Sequence, residues 1–257
     1  MQQLLRTWIL RSCKILFETV RFAKSNSLYM QFSCRRFFNM LNCHCLFKNH
    51  QIELYSKKVG YFMEYSYLFY IVAGFISGSI LFGRIIPLLF KNIDVTKDSD
   101  DGNPGAFNAF TCGGPICGLF VLLLDLLKGA LPVLLCISHI GTDSLLFAFV
   151  IAAPVFGHAH SIFNRGNGGK GIAVSFGVLL GLLPIWQPLV LLIVWYLLFL
   201  LAIPAKSNTR KSIYAFFAFG ISAVFAVKYT MIMYGCILIA GIVIHKHYLN
   251  AVACEQH

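Results

Sequence analysis

The sequence predicts an all-α, polytopic integral membrane protein with about seven transmembrane helices. Of its 257 residues, 58% are hydrophobic and 12% are charged, against about 25% charged in an average soluble domain. It also carries apolar stretches long enough for a hydrocarbon core of about 30 Å, which takes about 17 to 25 residues per helix. Lys and Arg, finally, gather on alternate loops between those stretches, as they do in membrane proteins. Together these observations exclude a soluble globular enzyme and a disordered chain of low hydrophobicity.

The formal net charge is +11, and it is uneven. Residues 1–62 hold ten Lys/Arg against Glu18 and Glu53, whereas the remaining chain carries eleven against eight acids. That basic stretch shows no nucleic-acid motif and no periodic basic face, so no nucleic-acid partner is expected. Its apolar runs are too short for a span or a signal peptide. Cys43, His44, Cys45 and His50 match no common zinc spacing, and no metal or cofactor is expected. Residues 1–62 are therefore expected to be a non-native or disordered basic extension, with Met63 as the biological start and 63–257 as the membrane domain; a peripheral basic tail is the alternative.

Three spans are predicted directly, at 67–90, 115–138 and 144–163. The apolar run 171–205 is too long for one crossing and contains Pro184 and Pro188. It is expected to form two short helices around a tight turn. The block 212–244 is interrupted by Lys228 and splits likewise. Seven crossings place Lys91, Lys97, Arg165, Lys170, Lys206, Arg210, Lys211 and Lys246 on one side and only Lys228 on the other. Merging the interrupted blocks gives five crossings and a five-to-three split, so seven is preferred, with the charged loops cytoplasmic.

On that face, 91–114 contains DVTKDSDDGNPGAFNAFTCGG and the next loop region reads GHAHSIFNRGNGGKGIAVSFG. The first suits a connecting loop by composition. In the second, Gly166, Gly168, Gly169 and Gly171 permit close backbone approach to an anion, Lys170 adds a charge, and a helix start follows. Phosphate is the natural ligand, although this is not a Walker A loop because Gly171 stands where Ser or Thr would. His158 and His160 are placed to donate to phosphate, to relay a proton, or simply to pack. Asp125 and Lys128 lie inside an apolar span, where ionisable residues are functional candidates; their i, i+3 spacing equally allows a self-neutralising pair. Ser79 and Gly83 read as a small-residue packing face.

These motifs resemble the bacterial acyl-phosphate glycerol-3-phosphate acyltransferase family over roughly 67–250. GSILFG, the GN-x-GA-x-N core at Gly102 to Asn108, LLDLLKG at Leu123 to Gly129, and GH followed by GGKGIA at Gly157 to Ala173 recur in the family's order and spacing. The resemblance implies transfer of an acyl chain from acyl phosphate to the 1-hydroxyl of sn-glycerol 3-phosphate, giving lysophosphatidic acid and phosphate in phospholipid biosynthesis. It implies a multi-pass protein of the bacterial cell membrane, with its active face cytoplasmic, membrane lipids around it and no cofactor. The residues implicated in catalysis are Asn103, Asn108, His158 and Asp101; those in substrate binding are Gly102, Gly105, Lys128, Gly168, Gly169, Lys170, Gly171 and Arg210. Because an acyl phosphate is already activated, positioning and hydrogen bonding suffice and no nucleophilic Ser or Cys is required.

The sequence departs from the family's first motif: Asp101 replaces a serine, Phe107 a threonine and Thr111 an arginine. Lys206, Arg210 or Lys211 is a candidate replacement for the lost cation, and KHYLN lacks the family's glutamate near His247. A membrane transporter and a non-catalytic scaffold are the rival classes. Against a transporter, no internal repeat is visible and the specialised loops share one face. The H-x-x-x-x-D signature of the other glycerolipid acyltransferases is absent, since Ser144, Phe163 and Arg165 follow His139, His158 and His160 at that spacing.

Overall fold

The computed structural model describes residues 50–99, 101–202 and 208–255. The expectations for residues 1–49, including the basic extension and Cys43 to Cys45, and for Lys206 lie outside them. Apart from the first residues of α1, before Met63, and the last two of α5, after Ile137, the helices belong to the compact unit of Met63–Ile137 and Thr142–His257.

The described residues form helices and no strands: α1 His50–Ser79, α2 Phe82–Lys91, α3 Val95–Asp98, α4 Ala106–Gly113, α5 Pro115–His139 and α6 Leu146–Ala159. A 3-10 turn at Ile162–Asn164 precedes α7 Ile172–Leu180, α8 Gln187–Ala202, α9 Asn208–Ala226 and α10 Thr230–Glu255. Four stretches have the length and apolarity of a full crossing, namely Met63–Lys91, Pro115–His139, Leu146–Asn164 and Thr230–Val252, and Gln187–Leu201 is apolar but shorter. The run 171–205 does divide into two short helices, and the 212–244 block breaks around Lys228. At nine residues, however, α7 rises only about 14 Å, half of a hydrocarbon core. Length thus supports four of the expected seven crossings.

Helix α6 lies at the centre, with Phe147, Ile151, Val155 and Ala159 fully buried, and α10 packs along it, with α9 against α10 and α8 against α9. Lipid is as apolar as a leucine side chain, so close helix contact depends on small residues that let backbones meet. Gly78 lies against the carbonyl of Pro154 and Gly157 against that of Phe75, joining α1 to α6. Gly177 against Leu126, together with Gly129 against Val174, joins α5 to α7 in the same way. The expected Ser79/Gly83 packing face is not formed: α1 ends at Ser79 and a break at Ile80–Leu81 separates it from Gly83. Gly83 instead meets the Pro104 backbone. Large apolar side chains such as Phe69, Leu89, Ile116, Leu201 and Phe225 remain exposed, as the lipid-facing surface of a membrane bundle requires.

The α1–α2 break is sealed by distant side chains. Ser161 Oγ donates to the Ser79 carbonyl at 2.6 Å and Lys128 Nζ to the Ile80 carbonyl at 2.6 Å. These replace helix bonds that a break leaves unmade, which matters where no water can reach the carbonyls.

Candidate active site

The first polar loop is organised by Asn108, buried near the start of α4. Its Nδ2 lies 3.0 Å from Ser99 Oγ, 2.6 Å from Asp101 Oδ1 and 2.9 Å from the Asn103 carbonyl. One amide group thereby gathers the turn that precedes its own helix. Gly102 has φ +60°, a left-handed conformation that glycine adopts without strain. The Asn103 N–H also donates to Asp101 Oδ1, at 3.2 Å, while the buried Asn103 Oδ1 has no partner among the described residues. Nearby, Asp94 caps α3 and accepts from Thr96; hydrogen bonds from Thr96 and Arg84 hold its carboxyl below the ordinary value against the opposing effect of burial. Arg84 links that cap to the second loop by donating to Asn164 Oδ1 at 2.8 Å.

Two glycines of the second loop have a packing cause. The loop folds back over the end of α6, and a Cβ at Gly168 would strike the His158 carbonyl, while one at Gly169 would strike His158 Nε2. The Gly169 N–H is already committed to the His158 carbonyl at 2.9 Å. Gly171, with φ +81°, caps α7 and starts the helix toward the cavity.

The two loops, 69 positions apart, meet where Lys170 Nζ donates to Asp101 Oδ2 at 2.7 Å. Partial burial works to raise the Asp101 carboxyl, but hydrogen bonds from Lys170 and Asn108 and the lysine charge outweigh it, leaving the group below its ordinary value. A cavity of about 530 Å³ opens at this junction. Asp101, Asn103, Asn108, Lys170, Lys211 and His247 provide polar lining, while Leu122, Ile172, Phe176 and Leu200 provide an apolar wall.

A buried cluster closes its inner end, with Asp125 and His158 in the lining and Lys128 behind them. Lys128 Nζ forms an ion pair with Asp125 Oδ1 at 2.7 Å, donates to Ile80 O, and lies 3.0 Å from His158 Nδ1. An ammonium has no acceptor atom. His158 Nδ1 must therefore accept, which puts the ring proton of the neutral imidazole on Nε2.

Of the residues singled out from sequence, Asp101, Asn103, Gly105, Asn108, Asp125, His158, Lys170 and Gly171 line the cavity together. Gly102, Lys128, Gly168 and Gly169 stand behind them as supports. Arg210 is exposed and does not line the cavity, whereas its neighbour Lys211 does. Thr111, in place of the arginine, is exposed and donates to the Asn108 carbonyl. Sequence reasoning did not select His247 as a site residue: it is 1% exposed, and neither ring nitrogen has a partner among the described residues. The available signal was a histidine near the end of an apolar helix beside Lys246. Tyr196 and Ser212 join the lining with no motif to announce them.

Fold and cavity define a multi-pass membrane protein whose site sets lysines and unpaired polar atoms against an apolar wall. Residues 68–254 match the family described as glycerol-3-phosphate acyltransferase, and the chain belongs to that family. It is 31% identical to the glycerol-3-phosphate acyltransferase of Aquifex aeolicus, with 71% of this chain and 92% of the relative covered. The corresponding protein of Lactococcus lactis subsp. cremoris is 33% identical, with 73% and 89% covered. The fold is similar to the crystal structure of PlsY (YgiH), an integral membrane glycerol 3-phosphate acyltransferase, in its glycerol 3-phosphate form. The TM-score is 0.64 and the identity 30%, with 72% of this chain and 90% of that one covered. The lysophosphatidic acid form of PlsY gives a TM-score of 0.60 and 28% identity, over the same shares of the two chains.

Proposed function

We propose that this protein transfers an acyl chain from acyl phosphate to the 1-hydroxyl of sn-glycerol 3-phosphate, releasing lysophosphatidic acid and phosphate. The observation that carries this reading is the two-sided cavity: Lys170, Lys211, Asn103, Asn108 and His247 face the same space as Leu122, Phe176 and Leu200. A phosphate monoester suits the first set and an acyl chain the second. That PlsY has been crystallised with glycerol 3-phosphate and with lysophosphatidic acid supports the same assignment.

In the reaction, the hydroxyl oxygen attacks the acyl carbonyl carbon, the bond from that carbon to the phosphate oxygen breaks, and the hydroxyl proton leaves. The departing phosphate accepts this proton in our reading. His158 is a poor base because its Nδ1 is occupied by Lys128, and it acts as a fixed Nε2–H donor. Asp101 is a poor base because both carboxylate oxygens are hydrogen-bonded. Lys170, Lys211 and the Gly171 turn hold phosphate; Asn108 keeps the first loop in shape; Asn103 Oδ1, without a partner among the described residues, accepts from a substrate hydroxyl. Gly102, Gly105, Gly168, Gly169 and Lys128 shape the backbone around these groups, and the exposed Arg210 adds positive field. The loops around Asn103, Lys170 and Arg210 face the cytoplasm, and residues 1–62 are dispensable for the reaction.

The test is purified protein in detergent, where no compartment exists for transport, supplied with acyl phosphate and glycerol 3-phosphate. Release of lysophosphatidic acid and phosphate is expected. Consumption of acyl phosphate with a different acceptor would make the acceptor wrong, and no turnover with any acceptor would sink the acyltransferase reading for this chain.

A further inference from the structure

Asp101 stands where an anionic ligand would be expected. Its Oδ2 takes a hydrogen bond from Lys170 Nζ at 2.7 Å, and both side chains line the cavity, being 33% and 17% exposed. The rest of the carboxylate is held in place, since Oδ1 receives Asn108 Nδ2 and the Asn103 N–H. The carboxylate is thus a fixed feature of the turn and cannot swing away without giving up two further hydrogen bonds. Meanwhile the buried Asn103 Oδ1 and both His247 nitrogens, in the same cavity, have no hydrogen-bond partner among the described residues, while the nearby lysine is already neutralised from within. A carboxylate oxygen on an ammonium has the geometry and charge of a phosphate oxygen on it.

We infer that Asp101 acts as a built-in competitor for phosphate at Lys170, and so sets how tightly this protein holds its phosphate-bearing substrate. A phosphate reaching Lys170 must either displace the carboxylate or share the ammonium with it at like-charge distance. Both weaken binding. This deepens the acyl-transfer reading and rests on it for the identity of the substrate, but not for the competition itself. Asp101→Asn keeps an oxygen acceptor for Asn108 and Asn103 while removing the charge. Asp101→Ser introduces the residue that the family motif carries there.

Binding of inorganic phosphate to the full-length protein in detergent, followed by calorimetry, tests the inference without needing turnover. Both variants should bind phosphate about three- to tenfold more tightly than the unmodified protein, as expected for removing one partly exposed like charge. The gain should vanish in the Lys170→Ala background. Steady-state kinetics then identifies the substrate, through a lower KM for glycerol 3-phosphate or for acyl phosphate in Asp101→Asn. Equal or weaker phosphate binding by both variants, a gain that survives Lys170→Ala, or no detectable phosphate binding by any of these proteins would overturn the inference. Tighter phosphate binding without acyl transfer would leave it standing and refute the acyltransferase reading; acyl transfer with unchanged phosphate affinity would do the reverse.

Discussion

Replacing Lys128 with methionine removes three interactions at one buried point. Asp125, 1% exposed, loses its ion-pair partner, the Ile80 carbonyl at the α1–α2 break loses its donor, and His158 Nδ1 loses the hydrogen that fixes its tautomer. Removing one partner of a buried ion pair costs about 3–5 kcal/mol, and an orphaned buried acceptor about 1–3 kcal/mol. Because these overlap in one site they do not simply add, and a loss of about 4 kcal/mol is expected for Lys128→Met. The double variant Asp125→Asn, Lys128→Met removes both buried charges at this point but still orphans Ile80 O and His158 Nδ1. It should recover roughly 2 kcal/mol of the loss, a coupling within the range for contacting residues, and retain a deficit of about 1–3 kcal/mol. Reversible unfolding in mixed detergent and dodecyl sulfate micelles measures all three proteins. A cost below about 1 kcal/mol for Lys128→Met, or a double variant no better than that single one, would refute the claim that the lysine neutralises one group and seals the other.

His158→Ala and Asp101→Asn should each lower kcat by less than the roughly 10²- to 10⁴-fold expected for a dedicated acid–base residue. Asn108→Ala should be more damaging than either, and rate measurements on the three variants decide the order. Since the Asp101 carboxyl lies below its ordinary value when folded, its bridge to Lys170 stabilises the protein above about pH 4 and is lost as pH falls through the depressed folded value. In phosphate-free buffer, Asp101→Asn should therefore melt below the unmodified protein at pH 7, with the gap closing at strongly acid pH; a constant gap would contradict this. Cysteine probes in the loops around Asn103, Lys170 and Arg210, in a background without native cysteines, should all label from the cytoplasmic side, and labelling of any two from opposite sides would break the topology. A chain beginning at Met63 should insert and turn over substrate like the longer one, and loss of either property would make residues 1–62 a working part.

The helices that were legible in the sequence are those with a local cause. Long, predominantly apolar runs mark Pro115–His139 and Leu146–Asn164, and the prolines in LLPIWQP mark the turn between α7 and α8. The break after Ser79 was not legible, because GSILFG is continuously apolar and the groups that make the break tolerable come from Lys128 and Ser161. The same contrast holds in the site. Glycines and asparagines announced both loops, and the i, i+3 spacing of Asp125 and Lys128 announced their ion pair. Nothing local announces that Lys170 meets Asp101 across 69 positions. The glycine pattern also had two readings: Gly168 and Gly169 are fixed by their contact with His158, whereas Gly171 alone of the three opens on the cavity. His247 escaped notice because its role depends on which cavity the end of α10 reaches, a property of packing.

The sealed break between α1 and α2 also has a consequence for biogenesis. The Ser79 and Ile80 carbonyls acquire their donors from residues 82 and 48 positions later in the chain. A nascent chain emerging from the ribosome therefore presents the Met63–Lys91 span incomplete well before Lys128 and Ser161 have been synthesised. Until then those two carbonyls must be hydrated, which keeps this part of the span beside water in the insertion machinery or at the membrane surface, since bare carbonyls in hydrocarbon cost several kcal/mol each. This span can settle into lipid only after α5 and the turn beyond α6 have arrived, so the helices of this bundle are committed to the bilayer as a group.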